Sequence, residues 1–420
     1  MRYLNFDNIS VNEDWAFDKV RSIEQWTHGY HRYPAKFLPN VVKKIIENYA
    51  LPELPVADPF AGCGTTLVEA KIHGFESYGV DINPVAGLIA KVKTKPIMPD
   101  LLDSYYSDLI NQFDLYAESN LYNIKKHDKL DYWFDKKEKY KIIFIYSIIC
   151  KIDNNDIRDF FLVSLSHILK NCSKWLQSST KPQIDKNKKP SDSFILFKSH
   201  TQMMIRKNTE YYNELLHSSN LDILCNMTIG DARNTNWASN SIGTIITSPP
   251  YVTSYEYADI HQLTGYLYDY FDDLKQFRQK FIGTSYSNKG SIDVGSLLGK
   301  KIVNALFAKD PKTARNVACY FNNMEIVAKE IYRVLQTNGK ACIVIGNTTV
   351  KNVHIQAAEV FWEFLKKAGF KTNEQNIIKR CIPCKLMPTI RNVKTGRFAK
   401  RTDPNIKEVY PNEYILIVEK

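Results

Sequence analysis

Apolar residues recur along this chain in two patterns that together predict an α/β protein. Short apolar runs, typical of buried parallel strands, alternate with longer segments whose apolar residues are spaced three and four apart, as in helices facing a core. The runs that predict strands are residues 54–57, 77–81, 221–227, 242–246, 340–345, 370–378 and 414–420. The segments that predict helices include residues 41–46, 67–72, 324–335 and 357–368. The alternation favours a mostly parallel sheet covered by helices.

One long segment interrupts this alternation. Residues 95–220 are rich in Lys, Asn and Tyr, and helical periodicity returns at residues 160–176 and 209–216. We therefore predict three parts, which are an N-terminal arm with the first α/β half (1–94), an inserted helical subdomain (95–220) and the second α/β half (221–420).

Composition narrows the class of partner. The chain has 420 residues, of which 44% are hydrophobic and 24% charged, and its 56 Lys and Arg against 45 Asp and Glu give a net charge of +11. This basic excess favours a polyanion such as nucleic acid. The longest apolar stretch, residues 142–150, is too short to span a membrane, and no signal-peptide pattern is visible. We expect a cytoplasmic protein with reduced cysteines. Cys381 and Cys384 lack a second pair, so no metal site is predicted.

A glycine-containing loop follows the first predicted strand, at residues 58–66. Gly62 and Gly64 would let a ligand approach the backbone at the start of a helix, for which Thr66 and Glu69 predict a capping box. Leu67 stands where a dinucleotide fingerprint has its third glycine, which favours a cofactor without phosphates.

The second predicted strand ends in an acid, Asp81. A carboxylate at this point of an α/β sheet can accept hydrogen bonds from both ribose hydroxyls of an adenosine. The alternative is that Asp81 only caps the next helix.

A different motif, Thr247-Ser-Pro-Pro-Tyr251, follows the run at 242–246. Two prolines cannot continue a sheet, so the strand must end there, at the edge where open α/β sheets bind ligands. Ser248 and the Pro249 carbonyl can accept hydrogen bonds from an amino group, and Tyr251 can stack on a planar ring. The alternative is a proline turn that merely closes the strand.

Two further segments carry unusual chemistry. Residues 26–39 combine aromatic and basic side chains, which predicts either a packed N-terminal arm or a lid over a cofactor. Residues 391–401 contain five basic residues and no acid, which predicts either a solvated loop or a contact with nucleic acid.

Taken together, these motifs resemble those of the S-adenosylmethionine-dependent DNA methyltransferases that modify exocyclic amines. The resemblance implies a Rossmann-like class I methyltransferase fold, with a seven-stranded, mostly parallel sheet, an antiparallel last strand and an inserted helical subdomain. The implied catalytic residues are Ser248, Pro249, Pro250 and Tyr251. The implied cofactor contacts are Lys36, Asp58, Phe60, Gly62, Gly64, Thr65, Asp81, Asp231 and Ala232. We expect DNA contacts from Arg391, Lys394, Arg397, Lys400 and Arg401.

The implied activity is methyl transfer to the N4 amine of cytosine in duplex DNA, on a base flipped out of the helix. Ser248 is similar to the residue of the cytosine-modifying branch, but some adenine-modifying members also carry serine, so N6-adenine methylation stays open. Methylation of a guanine amine in RNA is a weaker alternative. Carbon-5 methylation is disfavoured, because Cys384 does not follow the fourth strand as its nucleophile should.

The resemblance also implies partners and a location. They are double-stranded DNA, a cognate restriction endonuclease encoded nearby, and the nucleoid in the cytoplasm of a bacterium or archaeon. Three segments compete as the one that reads the DNA sequence, namely residues 95–220, the loop after Tyr251 and residues 391–401.

Overall fold

A seven-stranded sheet organises the protein. The computed structural model describes residues 5–17, 20, 22–117, 128–252, 256–285, 291–382, 390–392, 399, 402–408 and 412–420. The strands are β1 (Val56–Asp58), β2 (Ser77–Asp81), β3 (Cys225–Ile229), β4 (Ile242–Thr247), β5 (Leu335–Ile345), β6 (Thr348–Val350), β7 (Val353–Ile355), β8 (Ile377–Cys381), β9 (Ile390–Asn392), β10 (Ile406–Glu408) and β11 (Asn412–Glu419). The large sheet has the order β3-β2-β1-β4-β5-β11-β8, and β6–β7 and β9–β10 form separate pairs.

Strand directions confirm the predicted fold class. The strand pairs β3–β2, β2–β1, β1–β4 and β4–β5 are parallel. Strand β11 lies antiparallel to both β5 and β8. Several predicted strands have wrong bounds, and β5 begins at Leu335, five residues before the predicted start at residue 340. Residues 221–224 are not in β3, because the carbonyls of Leu221 and Ile223 accept hydrogen bonds from Lys71 instead of from a strand. Strand β8 begins only at Ile377, because Asn373 caps a 3-10 turn directly before it.

Helices cover both faces of the sheet. They are α1 (Pro39–Tyr49), α2 (Thr65–Ile72), α3 (Pro84–Thr94), α4 (Pro99–Asn111), α5 (Asp128–Trp133), α6 (Lys136–Ile149), α7 (Asn155–Cys172), α8 (Ser193–His217), α9 (Tyr257–Ile260), α10 (Gln262–Leu267), α11 (Leu274–Gln279), α12 (Leu297–Phe307), α13 (Pro311–Val334) and α14 (Ala357–Ala368). On the central strand β4, Ile245 packs in the core with α12–α14, and its neighbour Ile246 packs with α1 on the other face.

The segment between β2 and β3 is helical, as its periodicity predicts. Helices α4–α8 form a core that also takes in apolar residues of α3 and α10. Because this core is shared with the flanking helices, the division into parts at residues 94/95 and 220/221 stays a prediction. None of the helices in the described ranges combines the length and apolar character that crossing a bilayer requires.

The capping box predicted for α2 is wrong. The residue before the helix is Gly64, in a left-handed conformation with φ 77°, and no side chain caps the helix. The Thr66 hydroxyl donates to Asp58 Oδ2 at 2.8 Å, and Glu69 Oε1 lies 2.7 Å from His28 Nε2. Both side chains therefore bind other parts of the chain, because tertiary packing brings them stronger partners than their own helix offers.

Candidate functional site

The glycine loop and the proline motif meet at the carboxyl edge of the sheet, and Asp58 joins them. Its Oδ1 accepts hydrogen bonds from the Thr247 hydroxyl at 2.6 Å and from the Phe60 amide at 2.9 Å, and its Oδ2 accepts one from Thr66. Burial raises the pKa of Asp58 to about 6, although the three donors favour its charged form. Asp58 thus fixes the two segments against each other. Direct contact of Asp58 and Phe60 with a cofactor stays a prediction.

Asp81 connects the end of β2 to the same loop. Its Oδ2 accepts a hydrogen bond from the Gly62 amide and its Oδ1 one from the Asn83 amide, both at 2.9 Å. Burial raises the pKa of Asp81 to about 6. Each carboxylate oxygen has a further lone pair, so Asp81 can still accept hydrogen bonds from hydroxyls.

Helix α3 packs closely against the glycine loop. A Cβ on Gly64 would lie 2.7 Å from the Ala90 Cβ of α3, so the loop can approach α3 this closely only with glycine. The buried Lys93 Nζ donates to the Cys63 carbonyl at 2.8 Å, and burial lowers the pKa of this lysine. Thr65, which begins α2, is also buried. The loop is therefore a rigid surface at the start of a helix.

The N-terminal arm lies over this loop. The Tyr33 ring and hydroxyl come within 3.5 Å of the position that a Cβ on Gly62 would take, and the ring stacks on Tyr257 at 5.5 Å between centroids. Lys36 is half-buried and its Nζ donates to the His28 carbonyl at 3.2 Å. The arm is thus placed to cover a ligand on the loop, and contact of Lys36 with a cofactor stays a prediction.

Asp231 follows β3 at the same edge, next to the end of β2. The Arg233 Nε donates to its two carboxylate oxygens at 2.9 and 3.0 Å, and Arg233 Nη1 donates to Asn323. Ala232 is buried. Asp231 is therefore already paired, and its contact with an adenine ring, like that of Ala232, remains a prediction.

The proline motif leaves β4 with its polar groups at the sheet edge. All six residues of β4 are buried, whereas Ser248 and Pro250 are half-buried and Pro249 is buried. The Tyr251 ring packs against the backbone of Gly346, where a Cβ would lie 2.7 Å from Tyr251 Cε2. The tyrosine ring is thus restrained by the backbone that directly follows β5.

The ion pair between Glu413 and Arg380 binds the hydroxyl of Tyr251. Its hydroxyl donates to Glu413 Oε2 at 2.8 Å, and Glu413 forms an ion pair with the buried Arg380. Arg380 Nε also donates to the Trp15 carbonyl at 2.7 Å. Burial raises the pKa of Tyr251 well above its ordinary value, and the adjacent Glu413 carboxylate raises it further. The hydroxyl therefore stays protonated and donates to Glu413.

Sequence reasoning missed Gly346, Arg380 and Glu413. The available signal was weak, namely opposite charges on β8 and β11, where Glu413 and Arg380 are directly paired across the strands. It becomes visible only once the strand register is known. Among the basic residues expected to bind DNA, Arg391 lies in β9, and the remaining ones lie outside the described residues, as does Cys384.

The chain matches a family described as DNA methylase, of the N6 and N4 type, over residues 4–92 and 242–420. It is 26% identical over 438 aligned residues to the type II methyltransferase M.MvaI of Kocuria varians. The alignment covers 97% of this chain and 92% of that protein. It is 33% identical over 138 residues to the type II methyltransferase M.MjaII of Methanocaldococcus jannaschii, covering 31% of this chain and 26% of that protein.

Solved structures give only distant likenesses. A putative DNA modification methylase of Thermus thermophilus, solved with S-adenosylmethionine, is 17% identical with a TM-score of 0.22, covering 46% of this chain and 53% of that one. A S-adenosylmethionine-dependent methyltransferase of Methanosarcina mazei is 9% identical with a TM-score of 0.29, covering 93% and 98%. These scores are too low to support any argument about the site.

Proposed function

The chain belongs to the N6 and N4 DNA methylase family, and we propose that it methylates the N4 amine of cytosine at a specific site in duplex DNA. Its methyl donor is S-adenosylmethionine, as for the family. The observation that carries the proposal is the bond between Thr247 and Asp58, which fixes Ser248 beside the glycine loop at the carboxyl edge of the sheet.

The residues at this edge fit S-adenosylmethionine. The compound has two ribose hydroxyls to donate and no phosphates, and Asp81 offers carboxylate lone pairs on a loop that lacks a third glycine. Without a side chain, Gly62 would let the methionine end approach the loop backbone where Tyr33 now lies. When bound, this cofactor supplies an electrophilic methyl group, and the protein must only hold the amine towards it.

Ser248 and Pro249 would hold that amine. The lone pair of an aromatic amine is delocalised into its ring, so the nitrogen is a poor nucleophile until its geometry becomes more tetrahedral. A serine hydroxyl and a proline carbonyl can each accept one amine hydrogen and so orient the lone pair. No covalent bond to the enzyme is needed, and the proton can leave to solvent after transfer. The preference for cytosine over adenine is supported by the similarity of Ser248 to the cytosine-modifying branch.

Tyr251 would hold the flipped base. Stacking of a base on an aromatic ring is worth roughly 1–3 kcal/mol, and it requires a ring that does not rotate freely. The contacts of Tyr251 with Gly346 and Glu413 fix this ring. The stack therefore compensates in part for the unpairing of the base.

The decisive experiment is mass spectrometry of nucleosides from DNA treated with the protein and S-adenosylmethionine carrying a labelled methyl group. We expect labelled N4-methylcytosine. Ser248→Ala should lower turnover about fivefold or more, since a lost hydrogen bond costs about 1 kcal/mol or more, and should leave cofactor affinity unchanged. Ser199→Ala, on the exposed side of α8, serves as the control with full turnover.

The other outcomes are distinct. Label on N6 of adenine would contradict the proposed base and keep the reaction class, and label on RNA alone would contradict the substrate class. Label on no nucleic acid would contradict the activity itself.

A biological setting follows from the same proposal. The relative in Kocuria varians is called a type II methyltransferase, which supports a role beside a cognate restriction endonuclease in the cytoplasm. DNA methylated by this protein should then resist cleavage by a nuclease encoded next to it. Cleavage at an unchanged rate would contradict this pairing.

A further inference from the structure

A buried histidine close to the glycine loop has a hydrogen-bond donor without an acceptor. His261, between α9 and α10, is 4% exposed, and its Nδ1 lies 2.8 Å from Asn83 Nδ2. Asn83 Oδ1 accepts a hydrogen bond from the Val85 amide at 3.1 Å, which fixes the orientation of the Asn83 side chain. Asn83 therefore presents its NH₂ group to His261, and Nδ1 must be the acceptor.

This assignment determines the tautomer of His261. A neutral imidazole has one N–H, so with Nδ1 accepting, the hydrogen is on Nε2. Burial lowers the pKa of His261 to about 3, which keeps the ring neutral at physiological pH. Within the described part of the chain, Nε2 is buried and has no hydrogen-bond partner. A histidine that served packing alone would be expected to have this donor satisfied, because a buried unsatisfied donor costs about 1–3 kcal/mol.

His261 belongs to the same cluster as the predicted cofactor residues. The backbone N–H of Asn83 also donates a hydrogen bond to Asp81 Oδ1. On its other side, the His261 ring lies 5.2 Å from the ring of Tyr33, which covers Gly62. The His261 ring therefore contacts both Asn83, just after β2, and Tyr33, in the segment that covers the loop.

We propose that the Nε2–H of His261 donates a hydrogen bond to the carboxylate at the methionine end of S-adenosylmethionine. The proposal rests on the proposed function, since it assigns a further residue to the cofactor site. The ribose hydroxyls are donors and suit the Asp81 carboxylate, whereas the methionine carboxylate only accepts and needs an N–H. Because Tyr33 covers Gly62, the proposal requires this ring to move aside when the cofactor enters.

Two substitutions separate the functions of the two ring nitrogens. His261→Asn places an oxygen near the position of Nδ1, which can still accept from Asn83, but it removes the Nε2–H. His261→Gln places an amide NH₂ near the position of Nε2 and so retains a donor there. We expect His261→Asn to weaken binding of S-adenosylhomocysteine about tenfold or more, and His261→Gln to restore most of the affinity.

The experiment is calorimetric titration of the full chain with two probes. S-adenosylhomocysteine has the amino-acid carboxylate, and 5′-methylthioadenosine has the adenosine and the sulfur without it. We expect His261→Asn to weaken binding of the first and to leave binding of the second unchanged. The melting temperatures of the ligand-free variants measure whether either substitution disturbs the fold.

Each other result contradicts the proposal. If His261→Asn lost affinity equally for both probes, the N–H would bind the adenosine part. If its affinity for S-adenosylhomocysteine equalled that of the unmodified protein, the N–H would bind no part of the ligand. A lowered melting temperature with no rescue by His261→Gln would indicate a structural role. An unmodified protein that binds neither probe would contradict the proposed function, and with it this inference.

Discussion

At the scale of single residues, the site depends on two carboxyl groups at the ends of adjacent strands. Asp58 has all of its described hydrogen bonds within the protein, to Phe60, Thr66 and Thr247. Among the described residues, Asp81 accepts hydrogen bonds from two backbone amides, and its oxygens keep lone pairs for a ligand. Both carboxylates thus hold the glycine loop, and Asp81 also retains acceptor capacity for a ligand.

The titration of Asp81 leads to a prediction about pH. Burial raises its pKa to about 6, so as the pH falls through 6 the side chain is protonated and loses acceptor capacity towards hydroxyls. Affinity for S-adenosylhomocysteine should therefore be full at pH 7.5 and fall as the pH drops below about 6. Calorimetry at several pH values measures this dependence.

Asp81→Asn is the control for this prediction. It should bind weakly at all pH values and show a flatter profile near pH 6, and a dependence that remains near that pH would be expected from Asp58, whose pKa burial also raises to about 6. An unchanged profile in Asp81→Asn would contradict the assignment of the titrating group.

At the scale of elements, the ends of three strands converge on Tyr251. The end of β5 supplies Gly346 against the ring, and the pairing of β11 with β8 places Glu413 opposite Arg380. Arg380 in turn donates to the carbonyl of Trp15 in the N-terminal segment. The orientation of one aromatic ring is therefore determined by elements from both ends of the chain.

Removing the Tyr251 hydroxyl tests this arrangement. Tyr251→Phe keeps the aromatic ring but loses the hydrogen bond to Glu413. Hydrogen bonds to charged groups contribute about 1.5–3 kcal/mol. The value of kcat/KM for DNA should therefore fall about tenfold or more, and the affinity for the cofactor should stay unchanged. Steady-state methylation assays and calorimetry measure the two quantities.

A neighbouring tyrosine provides the matched control. Tyr414 lies next to Glu413 on β11, and its hydroxyl donates to Asp7 at 3.1 Å, away from the motif. Tyr414→Phe should leave kcat/KM unchanged. If both substitutions lower kcat/KM equally, the hydroxyl of Tyr251 has no special role in positioning the ring.

At the scale of the whole molecule, the net charge of +11 predicts a basic surface that binds the phosphates of DNA. Residues 391–401 remain one candidate, on the basis of their five basic residues, and the lysine-rich segment 181–190 of the helical region is another. The first candidate begins in β9, which pairs antiparallel with β10.

Salt dependence distinguishes these surfaces. Changing Arg397, Lys400 and Arg401 to Gln should weaken DNA binding for all sequences and reduce the slope of log K against log salt by about 2–3, since each phosphate contact contributes about 0.9. The matched variant changes Lys181, Lys186 and Lys189 to Gln. If only that second set reduces the slope, the 391–401 segment is a solvated surface and the helical region binds the phosphates.

The sequence by itself determined the features that depend on local backbone chemistry. Apolar periodicity predicts the alternation of strands and helices, two prolines must end β4, and Gly62 and Gly64 permit the positive φ angles of the loop. Asp81 at a strand end follows from the same reading. These features need only neighbouring residues, so they can be identified before the fold is known.

Tertiary structure decided which distant side chains became partners. Tyr251 meets Glu413 across 162 positions of sequence, and His261 meets Asn83 across 178. Thr66 binds Asp58 rather than capping its own helix, because folding brings a buried carboxylate within reach. Such pairs depend on the order and register of strands, which no local pattern encodes. The physical reason is that periodicity records which face of an element is buried, whereas packing alone determines what lies opposite that face.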